Sequence, residues 1–295
     1  MRCYSLNIAG YNIRLESSDN GPELVPSERF LRNMIEPNGY DVLIRVHRGY
    51  HPIPEDAERV FVAPYIVESN GIKYTRKDNF WSVYQNISDL YISSNFPGTA
   101  NGRRALLKFS LLLREWDLWL EGTGDTADPL EYPLDGLVLY YLTAINNDIM
   151  IHASVVHYDG QGYLFSGVSG RGKSTMARLW NSIGGRVIHD DRLIIRSSGG
   201  TYKMYNTPVY NDDFPLEAPL DKIFLIEHGT INGINPLKGA QAVTRVISNC
   251  IQHNYSQDMI VRFLGSVSLL CSMVPVADLS FKPDRRVVYF ILKNE

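Results

Sequence analysis

The sequence predicts an α/β fold, with a phosphate-binding-loop core on a mixed sheet preceded by a β-rich N-terminal accessory domain. Three observations lead there. Gly167-Val-Ser-Gly-Arg-Gly-Lys-Ser174 has the full form G-x-x-x-x-G-K-[ST]. The loop is entered from Tyr163-Leu-Phe-Ser166, a short β-favouring run, and left through Thr175-Met-Ala-Arg-Leu-Trp180, which has good helix formers before Gly184-Gly185. The strand-like runs Ile149 to His157 and Gly162 to Ser166 are joined by Tyr158-Asp-Gly-Gln-Gly162, in which Asp-Gly is a hairpin signal. An antiparallel hairpin feeding the loop points away from a plain doubly wound parallel sheet.

Upstream, residues 1 to 125 read as mostly β. Tyr4 to Leu15, Asp41 to Val46, Val60 to Val67, Phe80 to Val83, Leu90 to Ser93 and Trp116 to Leu120 are short strand candidates between turn-rich segments, and Asn101 to Leu113 is a helix candidate among them. Gly122-Thr-Gly-Asp-Thr-Ala-Asp-Pro129 is small, polar and punctuated by Gly and Pro, so the domains are expected at 1–125 and 126–295. A helix is expected from Pro133 to Asn146, started by proline and stopped at Asn146-Asn147-Asp148. Beyond the loop, Arg186 to Asp191, Leu193 to Arg196, Lys222 to His228 and Val287 to Leu292 read as strands. Ala240 to Gln252 and Gln257 to Met273 have the apolar spacing of packed amphipathic helices.

Composition narrows the class. With 295 residues, 44% hydrophobic and 21% charged, the chain is an ordinary globular protein able to bury one large core or two smaller ones. A net charge of −3 without a basic stripe gives no support for a nucleic-acid partner. Cys3, Cys250 and Cys271 are far apart and lack metal-ligand spacing, as suits free thiols in a reducing compartment. No stretch near Met1 resembles a signal peptide, and the longest apolar run, Leu137 to Ala144, is too short to cross a bilayer. A cytoplasmic protein with no membrane partner is the expectation.

The loop makes a nucleotide the first ligand to consider, with ATP and Mg²⁺ as cofactors. Gly167, Gly170 and Gly172 permit backbone conformations and close approaches that a Cβ forbids, so N–H groups and the helix N-terminus point at phosphate oxygens. Lys173 reaches the β- and γ-phosphates and Ser174 ligates Mg²⁺. Ser169, Arg171 and Thr175 complete the expected nucleotide-binding set, with Arg171 either touching a phosphate or facing solvent. Asp190 and Asp191 end an apolar strand, one available to hold Mg²⁺ and the other to accept a proton from an attacking hydroxyl. A solvated turn or a salt-bridged pair is the other reading of these acids. His152 sits where the hairpin brings its strand beside the loop, as a neutral donor or proton partner for the acids, or as a structural histidine.

Together, Ile-His-Ala-Ser (151–154), Gly-Val-Ser-Gly-Arg-Gly-Lys-Ser-Thr (167–175) and Ile-His-Asp-Asp-Arg (188–192) resemble the catalytic core of HPr kinase/phosphorylase and its relatives. More distantly, they resemble the nucleotide core of phosphoenolpyruvate carboxykinase. The resemblance covers roughly residues 130 to 295. It implies a core fold of that family and makes His152 the active-site histidine, Lys173 the loop lysine and Ser174 the metal-binding hydroxyl. It makes Asp190 the carboxylate that activates the acceptor and Asp191 the metal-side acid. The family's relatives phosphorylate a serine on a carrier protein, free serine or a ribosomally made peptide, and often assemble as homo-oligomers. Met204-Tyr-Asn-Thr-Pro-Val-Tyr-Asn211 departs from the family's glycine- and isoleucine-rich signature, so neither phosphorylase activity nor HPr as substrate is carried over. Asn206, Thr207 and Pro208 either shape an acceptor pocket or form a strand-end turn.

The expected activity is therefore transfer of the ATP γ-phosphate to a hydroxyl, serine foremost, of a peptide, protein or small molecule. A carboxykinase-like enzyme and a nucleotide-binding regulatory or assembly subunit are the alternatives.

Overall fold

The computed structural model describes residues 1–63, 65–69, 72–76, 80–96, 103–210, 213–253 and 255–294. The chain forms two compact units, Met1–Ile145 and Asn146–Glu295. Residues 126–145, grouped with the second part by the sequence, fold with the first. The reason is the helix Leu134–Asn146: Tyr141 lies 4.6 Å from Phe109 ring to ring, and Asp135 pairs with Arg29 at 2.8 Å. Asn147, at φ 58°, ends the helix in the left-handed conformation that asparagine tolerates.

The first unit is built on a nine-stranded sheet in the order Met34–Ile35, Cys3–Ile8, Tyr11–Ser17, Val42–Arg48, Glu115–Glu121, Arg104–Phe109, Leu90–Asn95, Trp81–Gln85, Glu58–Val62. The expected strand Tyr4 to Leu15 is instead a hairpin, because Ala9 and Gly10 turn the chain at φ 53° and 78°. The expected helix Asn101 to Leu113 begins outside the described residues, and its described part forms the strand Arg104–Phe109. Pairing with Leu90–Asn95 on one side and Glu115–Glu121 on the other overrides the helix propensity of Ala and Leu.

The second unit carries an eight-stranded mixed sheet. Its elements are β1 (Ile149–Tyr158), β2 (Gln161–Ser166), α1 (Lys173–Asn181), β3 (Arg186–Ser198), β4 (Thr201–Asn206), β5 (Glu217–Pro219), β6 (Lys222–His228), β7 (Gly233–Leu237), α2 (Gly239–Ile247), α3 (Gln257–Met273), β8 (Val276–Phe281) and α4 (Arg286–Lys293). Strand order is β5-β4-β3-β1-β2-β6-β8-β7. β1 and β2 form the hairpin announced by Asp-Gly, with Asp159 and Gly160 at φ 50° and 80°. The two strands read after α1 are one, β3, with a register irregularity opposite Val155 and Val156. β6 runs parallel to both β2 and β8.

Period-2 alternation sorts side chains onto two faces. Leu164, Ile223 and Leu225 join a core capped by Ala242 and Val246 of α2 and Val267 and Leu270 of α3. Tyr163, Phe165, Phe224 and Ile226 join a second core with Met176 and Trp180 of α1 and Val287, Val288 and Ile291 of α4. That last trio corrects the expected strand Val287 to Leu292. Its β-branched residues fall at i, i+1 and i+4, the stripe of a helix lying on the sheet, with Tyr289 exposed. No helix among the described residues is long and apolar enough to cross a membrane.

Trp180 is fully buried, stacked on Tyr163 at 4.7 Å, and its indole N–H has no hydrogen-bond partner. Trp180→Ala should cost about 3–5 kcal/mol in denaturant unfolding. Trp180→Phe should cost markedly less, since it also removes an unsatisfied buried donor. Burial pushes the His253 pKa down to about 4. A neutral form favoured by folding contributes stability above pH 6.5 that is lost as pH falls toward 4. The drop in melting temperature between pH 7 and pH 5 should therefore shrink in His253→Gln.

Candidate active site

Register assembles the site. Ala153 of β1 pairs with Ser166 of β2 on one side and with Asp191 of β3 on the other. With neighbouring strands about 4.8 Å apart, the root of the loop and the acidic pair stand about 10 Å from each other across β1. His152 pairs with Arg192 and Ser154 with Asp190, so His152, Ser154, Asp190 and Arg192 share one face. Hydroxyls stitch these strands together. Ser166 Oγ donates to the His152 carbonyl at 2.8 Å, Ser154 Oγ donates to Asp190 Oδ1, and Thr207 Oγ1 donates to the Arg192 carbonyl at 2.7 Å.

The loop leaves β2 at Ser166 and enters α1 at Lys173. Gly170 and Gly172 have φ 81° and 94°, which side chains with a Cβ rarely adopt. A Cβ on Gly172 would also lie 2.7 Å from Phe281 Cζ, and one on Gly167 2.9 Å from the Ile226 carbonyl oxygen. No side chain caps α1, whose N-cap is Gly172, so its first-turn N–H groups face the loop as an anion-binding end. Lys173, only 8% exposed, folds its ammonium over the loop and donates to the Gly167 carbonyl at 2.8 Å.

These features fit a nucleotide phosphate chain: a cradle that tolerates no Cβ, an uncapped helix start and a lysine held at its mouth. Ser174 is exposed at the start of α1, as are Ser169 and Arg171 in the loop, while the Thr175 hydroxyl accepts from Arg178 at 3.3 Å. No cluster of three or more His, Cys, Asp or Glu among the described residues is arranged to hold a metal ion alone. Magnesium commonly takes one or two carboxylates together with substrate phosphates, and Ser174, Asp190 and Asp191 are the groups suited to that arrangement.

Electrostatics links the parts. Burial lowers the Lys173 pKa, opposed first by Asp190 and then by Asp191. His152 is exposed overall, yet desolvation by the surrounding chain and then the Lys173 charge lower its pKa, with Asp191 and Asp190 pulling the other way. The imidazole is therefore neutral at physiological pH. Asp190 is the acid felt most by Lys173, and Asp191 the acid felt most by His152 and by Tyr210, whose phenol it raises.

Beside the acids lies a cleft of about 350 Å³ lined by Arg186 to Asp190, Asn206, Tyr210, Asp213, Phe214 and Leu216. Asn206 holds its far wall: its side-chain amide donates to the Phe214 carbonyl and accepts from the Leu216 N–H, both at 2.8 Å. Thr207 ties the same turn to β3. The sequence reading gave no role to Ser154 or Tyr210. Ser154 was detectable, since strand alternation places it two residues from His152 on the same face; Tyr210 reaches the acids only through the turn after β4.

No family model and no curated protein matches the chain. Among solved structures, that of the Hpr(Ser) kinase/phosphatase from Coxiella burnetii matches 49% of this chain and 94% of its own, at 11% identity and a TM-score of 0.31. The likeness is weak.

Lys173→Met should lower affinity for Mg-ATP about 10- to 100-fold by calorimetry. It should leave the melting temperature unchanged or raised, because a buried cation is replaced by an apolar chain of similar length.

Proposed function

We propose that residues 146–295 form a kinase that uses Mg-ATP to phosphorylate a hydroxyl, serine foremost, on a peptide, protein or small-molecule acceptor. One arrangement supports this reading above the others: the Lys173 ammonium, held at the loop mouth by the Gly167 carbonyl, and Asp190, held by Ser154, are delivered by the two strands that flank β1. A phosphate cradle alone binds a nucleotide. A cradle with a carboxylate and an imidazole on the same face, Asp190 and His152, and a second carboxylate at the next position, Asp191, also has the groups that phosphoryl transfer needs.

The bound nucleotide supplies the phosphoryl group and magnesium the counter-charge. The first-turn N–H groups of α1 and the Lys173 ammonium would hold the phosphate oxygens and neutralise charge that grows in the transition state. Ser174 and Asp191 serve the metal. Asp190 would accept the acceptor's proton as its hydroxyl oxygen bonds to the γ-phosphorus, with ADP as the leaving group. Ser154 fixes the Asp190 carboxylate through its hydrogen bond, and His152, neutral, donates to an oxygen at the same face.

Asp190→Asn should keep Mg-ATP binding while slowing transfer about 10²- to 10⁴-fold, read as phosphate on acceptor by mass spectrometry. Transfer at the parent rate would remove Asp190 as the base. Absence of turnover with every acceptor, alongside tight Mg-ATP binding in both proteins, would favour a nucleotide-sensing subunit instead.

A further inference from the structure

The sheet of the second unit has an unpaired stretch next to the acids. β4 pairs with β3 only from Leu193 to Ser198, so no described strand covers β3 on that side between Arg186 and Arg192. That edge is the floor of the 350 Å³ cleft, and its volume lies within the roughly 300–1,000 Å³ usual for ligand sites.

The direction of the free backbone groups follows from the pairing. Thr207 bonds the Arg192 carbonyl from the β4 side. Groups two residues apart along a strand point the same way, so the N–H and carbonyl of Asp190 also face the open edge. The opposite wall offers two largely exposed rings, Tyr210 at 54% and Phe214 at 59%. His189, on the floor, is 5% exposed and its Nε2 is buried without a hydrogen-bond partner. A bare strand edge opposed by aromatic rings is suited to another backbone rather than to a compact small molecule.

We propose that the acceptor is an extended peptide segment that adds to the free edge of β3, pairing its serine opposite Asp190. Cross-strand partners carry their Cβ atoms about 4.5–5.5 Å apart on the same face. The serine hydroxyl then arrives on the face that holds the Asp190 carboxylate, Ser154 and His152, and Tyr210 and Phe214 cover the flanking residues. Asp190 and Asp213 line the cleft, so acidic residues beside the serine disfavour binding. This inference rests on the kinase reading for the fate of the hydroxyl, but the docking itself does not.

The test uses the full chain and two five-residue peptide libraries, acetylated and amidated, with serine fixed at the centre. In the second library the serine nitrogen is methylated, which leaves the hydroxyl but removes the N–H that antiparallel pairing with Asp190 requires. With Mg-ATP, phosphopeptide yield should fall about tenfold or more in the methylated library. With Mg-ADP, only the unmethylated library at millimolar concentration should slow amide hydrogen exchange across residues 186–190. Equal phosphorylation of both libraries, or transfer to free serine alone, overturns strand addition and leaves the kinase standing. Exchange protection without any transfer sinks the kinase reading and keeps the docking edge; no protection with either library overturns the docking edge.

Discussion

Everything at the site depends on the pairing of one strand. β1 lies between the strand that delivers the phosphate loop and the strand that delivers the acids, antiparallel to both. Because side chains alternate along a strand, a slip of β3 by one residue against β1 would turn Asp190 away from Ser154 and His152. The register is held by burial: Ile151, Ala153 and Val155 are completely buried in the core that α2 and α3 cover. Hydrophobic packing on one face thus fixes polar chemistry on the other.

The mixed order of the sheet follows from this requirement. A hairpin places His152 next to the loop without a crossover helix, while the parallel neighbours β6 and β8 back the loop with Ile226, His228 and Phe281. The loop sits where antiparallel and parallel halves meet. Helices cover both faces, α2 and α3 on one and α1 and α4 on the other, so the strands of this sheet read as near-continuous apolar runs.

Much of this was legible in the chain because it is local. The loop, its flanking strand and helix, and the Asp-Gly hairpin each carry their signal within a dozen residues. What sequence reasoning missed depends on distant partners. Arg104–Phe109 carries helix formers but is claimed by two neighbouring strands, and Val287 to Leu292 carries strand formers but its apolar residues have a helical period. The cleft beside Asp190 was half visible in Asn206 and Thr207. Its other wall, Tyr210 and Phe214, comes from a turn whose position is set by those two side chains rather than by its own pattern.

The crowding around the loop glycines has a mechanical consequence. Gly167 is pressed against the Ile226 carbonyl, and Gly172 against Phe281 and His228, so the loop has little room to move apart from the strands behind it. Such a cradle is stiff before its ligand arrives. A ligand that entered this loop would meet a surface already shaped and would give up little chain entropy in ordering it. The same crowding ties the loop to the sheet's parallel half, so a smaller side chain at Phe281 or Ile226 would loosen the loop without touching its sequence.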